Sequence, residues 1–227
     1  MNRVLIEVIV QTVSDARHAT RGGADRLEVV RSIRDGGLTP PLSLVRAIMQ
    51  ETSLPLRVMV RENDGYTMRP DELPRLRAAA AEFEGLGVDG IVIGFAEHGR
   101  LVLGDVRRVL ETAPALRATF HRAFDQLEDP IAAIDDLARI DSIDRILTDG
   151  GGGDATSRRQ RLTECRERAG RRLEILAGGG VDDEIFTHLT KTGCVREIHV
   201  GRLAREGDDP DGAVSADRVR RLRDLAG

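Results

Sequence analysis

A single-domain (β/α)8 barrel, the TIM-barrel architecture, is the fold class this sequence predicts. Short β-branched runs alternate with helix-like segments eight times along the chain. The repeating unit is about 28 residues, enough for a strand and the crossover helix that parallel pairing demands. The full length, 227 residues, matches the ~200–250 residues of a barrel without a second domain. A doubly wound open sheet is the rival, but it rarely needs eight regular units.

Residues 4–10 read as the first strand, and Ser14-Asp15 as the cap of a helix stopping at Gly22-Gly23. Residues 26–30 form the second strand. A Gly/Pro cluster follows, and Pro41 starts a helix reaching about residue 51. The third strand covers 56–61, with a polar loop at 62–69 and a helix from 70 to 86. The fourth covers 90–93, with a turn at Glu97-His98-Gly99 and a helix over 104–112. Strand 116–120 precedes helix 130–140. Strand 144–148 ends in Asp149 and four glycines before helix 155–169. Strand 173–176 ends in Ala177-Gly178-Gly179-Gly180 before helix 181–191, and strand 196–200 precedes a closing helix over 214–225.

Composition narrows the function classes. Net charge is −4, so nothing favours nucleic acid as a partner. Lys191 is the only lysine; arginine supplies the other positive side chains. Cys165 and Cys194 are the only cysteines, without a CxxC pair, which excludes a disulfide framework and fits a reducing compartment. The apolar stretch 1–10 is broken by Glu7 and lacks a cleavage site. No apolar run approaches the ~18 residues of a membrane span. A cytoplasmic protein without membrane partners is expected. One Tyr, five Phe and no Trp leave branched aliphatics to fill the core, as barrels prefer.

The informative residues are polar ones within or just after strands. Thr119-Phe120-His121-Arg122-Ala123-Phe124-Asp125 puts a proton-transfer group, a cation and a carboxylate where a strand becomes a loop. That end of a barrel is where ligand chemistry collects. Glu7 interrupts the first strand, Glu28 the second, Arg61 ends the third and His199 lies in the eighth. Charges inside a barrel are costly unless paired, and Arg61 is the expected partner of Glu7 and Glu28, read as lying at similar depth. Asp125 is expected to orient His121 or pair with Arg122. Glycines at 178, 179, 180 and 201 end the last two strands, where barrels bind phosphate on backbone amides. Glu7, Glu28, Arg61, His121, Arg122, Asp125 and His199 are therefore the catalytic candidates. Gly178, Gly179, Gly180 and Gly201 are the anion-binding ones. No HxxxH, HxH or CxxC pair offers a soft-metal site; a hard cation on Glu7 and Glu28 is the one arrangement these residues allow. His18, His98 and His188 fall on helices or loops and are expected to be exposed.

Several runs taken together resemble the CutC family: Gly23-Ala24-Asp25-Arg26-Leu27-Glu28, Asp35-Gly36-Gly37-Leu38-Thr39-Pro40, the Thr119–Asp125 run, Arg145-Ile146-Leu147-Thr148 and Ala177-Gly178-Gly179-Gly180. They occur in the family's order. The resemblance implies a cytoplasmic barrel, a small homo-oligomer (dimer or tetramer) and a role in copper homeostasis. Copper as a ligand is implied by the resemblance alone. Departures matter. Val29 stands where family members often carry cysteine, Arg61-Glu62-Asn63 replaces an Arg-Pro-Arg run, and Asp149 replaces a serine. The expected function is a barrel with an enzyme-like pocket for a small anionic or phosphorylated ligand. Direct copper binding and trafficking, or a scaffold without chemistry, are the alternatives.

Overall fold

The computed structural model describes residues 3–227; Met1 and Asn2, which open the apolar stretch noted above, lie outside the described residues. Eight parallel strands close into one barrel: β1 Leu5–Val10, β2 Arg26–Val29, β3 Leu56–Met59, β4 Gly90–Ile93, β5 Arg117–Phe120, β6 Ile143–Thr148, β7 Glu174–Ala177 and β8 Glu197–Val200. Each pairs with its sequence neighbours, and β8 closes on β1. Helices α1 Val13–Gly22, α2 Leu42–Glu51, α3 Leu73–Leu86, α4 Leu103–Leu110, α5 Pro130–Ala138, α6 Ala155–Ala169, α7 Asp183–Thr192 and α8 Ala216–Ala226 form the outer ring.

The expected units are all present, with ends shifted by a few residues. Arg61 lies beyond the end of β3. The turn at Glu97-His98-Gly99 belongs to a small antiparallel hairpin, Ala96–Glu97 against Arg100–Leu101. The α1 cap is Thr12 rather than Ser14: its hydroxyl accepts from the Asp15 N–H at 3.0 Å, while the Asp15 carboxylate accepts from the Gln11 N–H. That reciprocal pair of bonds satisfies two end donors at once.

The core is split by strand parity. Outward-facing Ile6, Val8, Leu27, Val29, Val58, Ile91, Ile93 and Phe120 pack with the helices into the large apolar layer. Inside the barrel, among the described residues, Val30, Met59 and Val92 form a buried apolar cluster, flanked by Ile9 and Ile33. Much of the interior beneath it is charged. Arg26, held by Glu7, also donates to Glu197 at 2.5 Å. Glu197 accepts from Arg145 at 2.8 Å, and Arg145 reaches Asp144 at 2.9 Å. Arg57 joins Asp144 at 2.7 Å and Asp89 at 2.6 Å near the strand N-termini. Every buried charge in this column has an opposite partner, which is the condition for tolerating it in low dielectric.

Candidate functional site

Above that column, at the C-terminal ends of the strands, a cavity of about 330 Å³ opens. This lies at the lower end of the ~300–1,000 Å³ typical of small-molecule sites. Glu28, His121 and His199 reach it from β2, the end of β5 and β8; Arg61, Tyr66, Arg122 and Arg202 reach it from the loops. Ile9, Val30, Met59 and Leu147 supply apolar wall.

The sequence places Glu7 and Glu28 at similar depth, with Arg61 as their partner; the structure corrects both points. Strand stagger pairs Glu7 with Arg26 and Glu28 with Ile9, so Glu28 sits one inward position nearer the mouth. The arginine at the level of Glu7 is therefore Arg26, two residues before Glu28 on the same face. Arg61 instead donates to three loop carbonyls, Gly65 (3.2 Å), Gly36 (2.9 Å) and Asp64 (2.5 Å). Its guanidinium carbon lies 4.8 Å from the Tyr66 ring centre, within cation–π range.

Glu7 is 1% exposed. Burial alone would favour its neutral form, but Arg26 and then His199 outweigh burial and hold the carboxyl below the usual carboxylate range. As a carboxylate it can only accept. Its 2.7 Å contact with His199 Nδ1 therefore places a proton on Nδ1 and turns Nε2 toward Glu28, whose Oε2 lies 3.7 Å away. Glu28 is 2% exposed and its Oε1 has no protein partner. Burial pushes its carboxyl up to about 7, with the negative charge of Glu7 adding to the rise and His199 opposing it. Burial also works against a charged His199, yet Glu28 and Glu7 together raise its pKa. Glu28 and His199 Nε2, both with raised pKa values, thus compete for one proton, and their apparent pKa values belong to the pair.

His121 is 3% exposed. Its Nδ1 accepts from the Ala123 N–H at 3.1 Å, capping the 3-10 turn Arg122–Gln126, and its Nε2 is buried without a partner. Burial, then the nearby Arg61, push its pKa down to about 3. Asp125 does not touch this ring. It accepts from Arg122 at 2.8 Å and from the Thr148 hydroxyl at 2.6 Å. Arg122 also binds Asp149 at 2.7 Å, so two aspartates balance its charge.

The glycines divide. The Gly178 N–H donates to the Thr148 carbonyl at 2.9 Å. A Cβ there would lie 2.8 Å from the Cβ of His199, so Gly178 makes room for the histidine. Gly179, Gly180 and Gly201 line the cavity. Arg158 holds the Gly179 carbonyl at 2.7 Å. Among the described residues, no protein group accepts from the backbone N–H of Gly179, Gly180, Gly201 or Arg202, and the Arg202 side chain makes no ion pair.

Sequence reasoning missed Arg26, Glu197, Tyr66 and Arg202. For the first two a signal existed: Arg26-x-Glu28 and Glu197-x-His199 repeat the two-residue parity of an inward strand face. Of the remaining histidines, His98 is exposed as expected, whereas His18 and His188 are half-buried, and His18 contacts the Val214 carbonyl at 2.8 Å.

The model of the CutC family matches residues 4–203. This chain is a member of the CutC family. It is 33% identical over 197 residues to a family protein CutC of Histophilus somni, covering 86% of this chain and 81% of that one. It is 31% identical to the human copper homeostasis protein cutC homolog, covering 87% and 73%. The crystal structure of the putative copper homeostasis protein CutC from Streptococcus agalactiae superposes with a TM-score of 0.78 at 23% identity, covering 86% of this chain and 97% of that one. It shares the barrel fold.

Copper can be tested against the donors present in this CutC-family chain. Cys165 and Cys194 are buried among the apolar side chains packed between barrel and helices, and neither lines the cavity. Burial pushes the Cys165 thiol up to about 11, away from the thiolate that binds metal. Val29 also faces that outer layer, so a cysteine at this position would not reach the pocket. Glu7, Glu28 and His199 each bring a donor atom within 4.8 Å of the others, but both Glu7 oxygens are already taken by Arg26 and His199. Apart from the Met59 thioether, this donor set is oxygen and imidazole, unlike the soft set monovalent copper selects. Among the described residues, no helix is long and apolar enough to cross a membrane.

Proposed function

We propose that this CutC-family protein is an acid–base enzyme acting on a small anionic, phosphorylated or carboxylated, metabolite in the barrel mouth. The observation that carries the reading is the Glu28–His199 pair. A carboxyl group and an imidazole compete for one proton on the floor of an open cavity, beneath glycine N–H groups without acceptors. Groups poised near the working pH are what general acid–base catalysis needs. Glu28 is the proton carrier that meets substrate. His199 exchanges the proton with Glu28, and Glu7 fixes the His199 tautomer. Gly179, Gly180 and Gly201, with Arg202, hold the anion, and Arg61, bound to loop carbonyls and without a carboxylate partner among the described residues, adds positive potential. Among the described residues the lining contains no Ser, Thr, Cys or Lys, which favours proton transfer over covalent catalysis by those nucleophiles.

In this reading the protein works in the cytoplasm as a homo-oligomer, dimer or tetramer. Its link to copper homeostasis, carried over from relatives named for it, is indirect. The second reading is a direct copper carrier, which those names favour and the donor set does not.

Inorganic phosphate tests the anion site. Phosphate is expected to raise the melting temperature of the wild-type chain in a saturable way, as binding to the folded state alone requires, and Arg202→Ala is expected to weaken that effect. Crystals grown with phosphate should carry it against Gly179, Gly180 and Gly201. Phosphate bound elsewhere with this mouth empty would overturn the anion site. One tight equivalent of Cu(I), lost on replacing Cys165 or Cys194, would favour the carrier.

A further inference from the structure

His121 is a part of the pocket whose chemistry the acid–base pair does not use. Its ring is fixed on several sides. Nδ1 accepts from the Ala123 N–H, the Tyr66 ring lies 5.5 Å away and the Phe120 ring 6.1 Å, and a Cβ on Gly94 would fall 2.7 Å from Nδ1. Because Nδ1 accepts, the single proton of the neutral ring is on Nε2. That N–H is buried with no acceptor among the described residues, and the His121 ring borders the cavity, so a donor is left unpaired inside the fold. If capping the Arg122–Gln126 turn were its only task, serine or aspartate would do it without stranding a donor.

We propose that His121 is an electrophilic catalyst: its uncharged Nε2–H donates to the oxygen of an enolisable carbonyl compound carrying an anionic group, while Glu28 removes a proton from the carbon beside that carbonyl. This rests on the acid–base reading above. The step balances within the site. The Glu28 carboxylate takes the proton, and the C–H electron pair becomes the C=C bond of an enolate. The carbonyl π pair moves to oxygen, where it accepts from Nε2–H, and the proton stays on His121. Return of the proton from Glu28 to carbon closes the cycle. A neutral imidazole serves this role because it is itself a weak acid, comparable to the enol it stabilises, and Arg61 and Arg122 nearby oppose a second proton on the ring. The size of the cavity, about 330 Å³, restricts the substrate to a compound in which carbonyl and anionic group lie a few bonds apart.

The test uses the full chain labelled with ¹⁵N, with 2-phosphoglycolate as the probe: its planar carboxylate resembles such an enolate and its phosphate supplies the anionic group. In the free protein, His121 is expected to be the Nε2–H tautomer and not to titrate between about pH 5 and 9, well above its depressed pKa. On adding 2-phosphoglycolate the His121 Hε2 resonance should move downfield together with the amides of Gly179, Gly180 and Gly201. A His121 that titrates in that range, or carries its proton on Nδ1, overturns the assignment. So do glycine amides that respond while Hε2 stays still, an outcome that leaves the anion site standing. Amides that do not respond would sink the anion site itself, and the substrate class with it.

Discussion

Replacing Glu28 with glutamine should stabilise the protein at alkaline pH and do progressively less as pH falls. Glu28 is fully buried and its carboxyl is raised from 4.5 to about 7. At 1.36 kcal/mol per pKa unit, that displacement corresponds to ~3 kcal/mol. A carboxyl whose folded pKa is raised is proton-bound in the folded state between those two values, while the unfolded chain has already released the proton. Its stabilising contribution is therefore complete below pH 4.5 and is lost as pH rises through 7. His199 acts in the same direction: its pKa is raised in the folded state, so its contribution also fades as pH climbs through the folded value. Because the two groups share a proton, part of the ~3 kcal/mol returns as Glu28–His199 attraction, leaving ~1–3 kcal/mol for the substitution. Glutamine has nearly the same shape, and Glu28 makes no hydrogen bond that the change would break: Oε1 has no partner and the His199 contact is 3.7 Å. Equilibrium urea unfolding of wild type and Glu28→Gln from pH 5 to 8.5 reads the effect. The stability difference should grow toward alkaline pH by ~1–3 kcal/mol. A difference independent of pH would mean that the Glu28 carboxyl is not raised in the folded state.

Other outcomes follow from the same geometry. Arg26→Met leaves Glu7 and Glu197 buried without their shared cation and should cost ~3–5 kcal/mol in denaturant unfolding; a loss below ~1 kcal/mol would mean the column relaxes or admits water. Gly94→Ala places a methyl 2.7 Å from His121 Nδ1, so ~1–3 kcal/mol of overpacking is expected, together with a displaced His121 resonance in NMR spectra. Gly179→Ala must hold a φ of 91° with its Cβ 2.7 Å from the Arg122 Nε. Stabilisation by phosphate should be lost in thermal melts while the unliganded fold persists.

The barrel was legible because its signals are local: a β-branched run, a cap, a glycine stop and the next run. Polar residues inside strands also foretold a shared cluster, since Glu7, Glu28 and His199 make no sense on an apolar inward face unless they meet. What a single strand cannot carry is its stagger against the next. Parity says that Glu7 and Glu28 face inward; only the register sets Glu7 beside Arg26 and raises Glu28 to the level of Ile9. The choice of Arg61 as partner failed for that reason. Loop contributions were equally hidden. Tyr66 and Arg202 reach the pocket through turns whose course depends on tertiary contacts, such as the Tyr66 carbonyl accepting from the Ala96 N–H at 2.9 Å. The Thr119–Asp125 run marks the end of a strand at the cavity, but it does not carry its own internal wiring. Asp125 turns to Arg122 and Thr148, and the backbone of Ala123 occupies the nitrogen of His121 that a carboxylate would have oriented.

The most direct test is a ¹³C titration of the side-chain carboxyl groups in the intact protein, with Glu28 assigned by its loss in Glu28→Gln. Acid–base action by this pair requires the Glu28 carboxyl to titrate near pH 7, with a matching inflection in the His199 ring. A Glu28 midpoint near 4.5 with no response from His199 would contradict it.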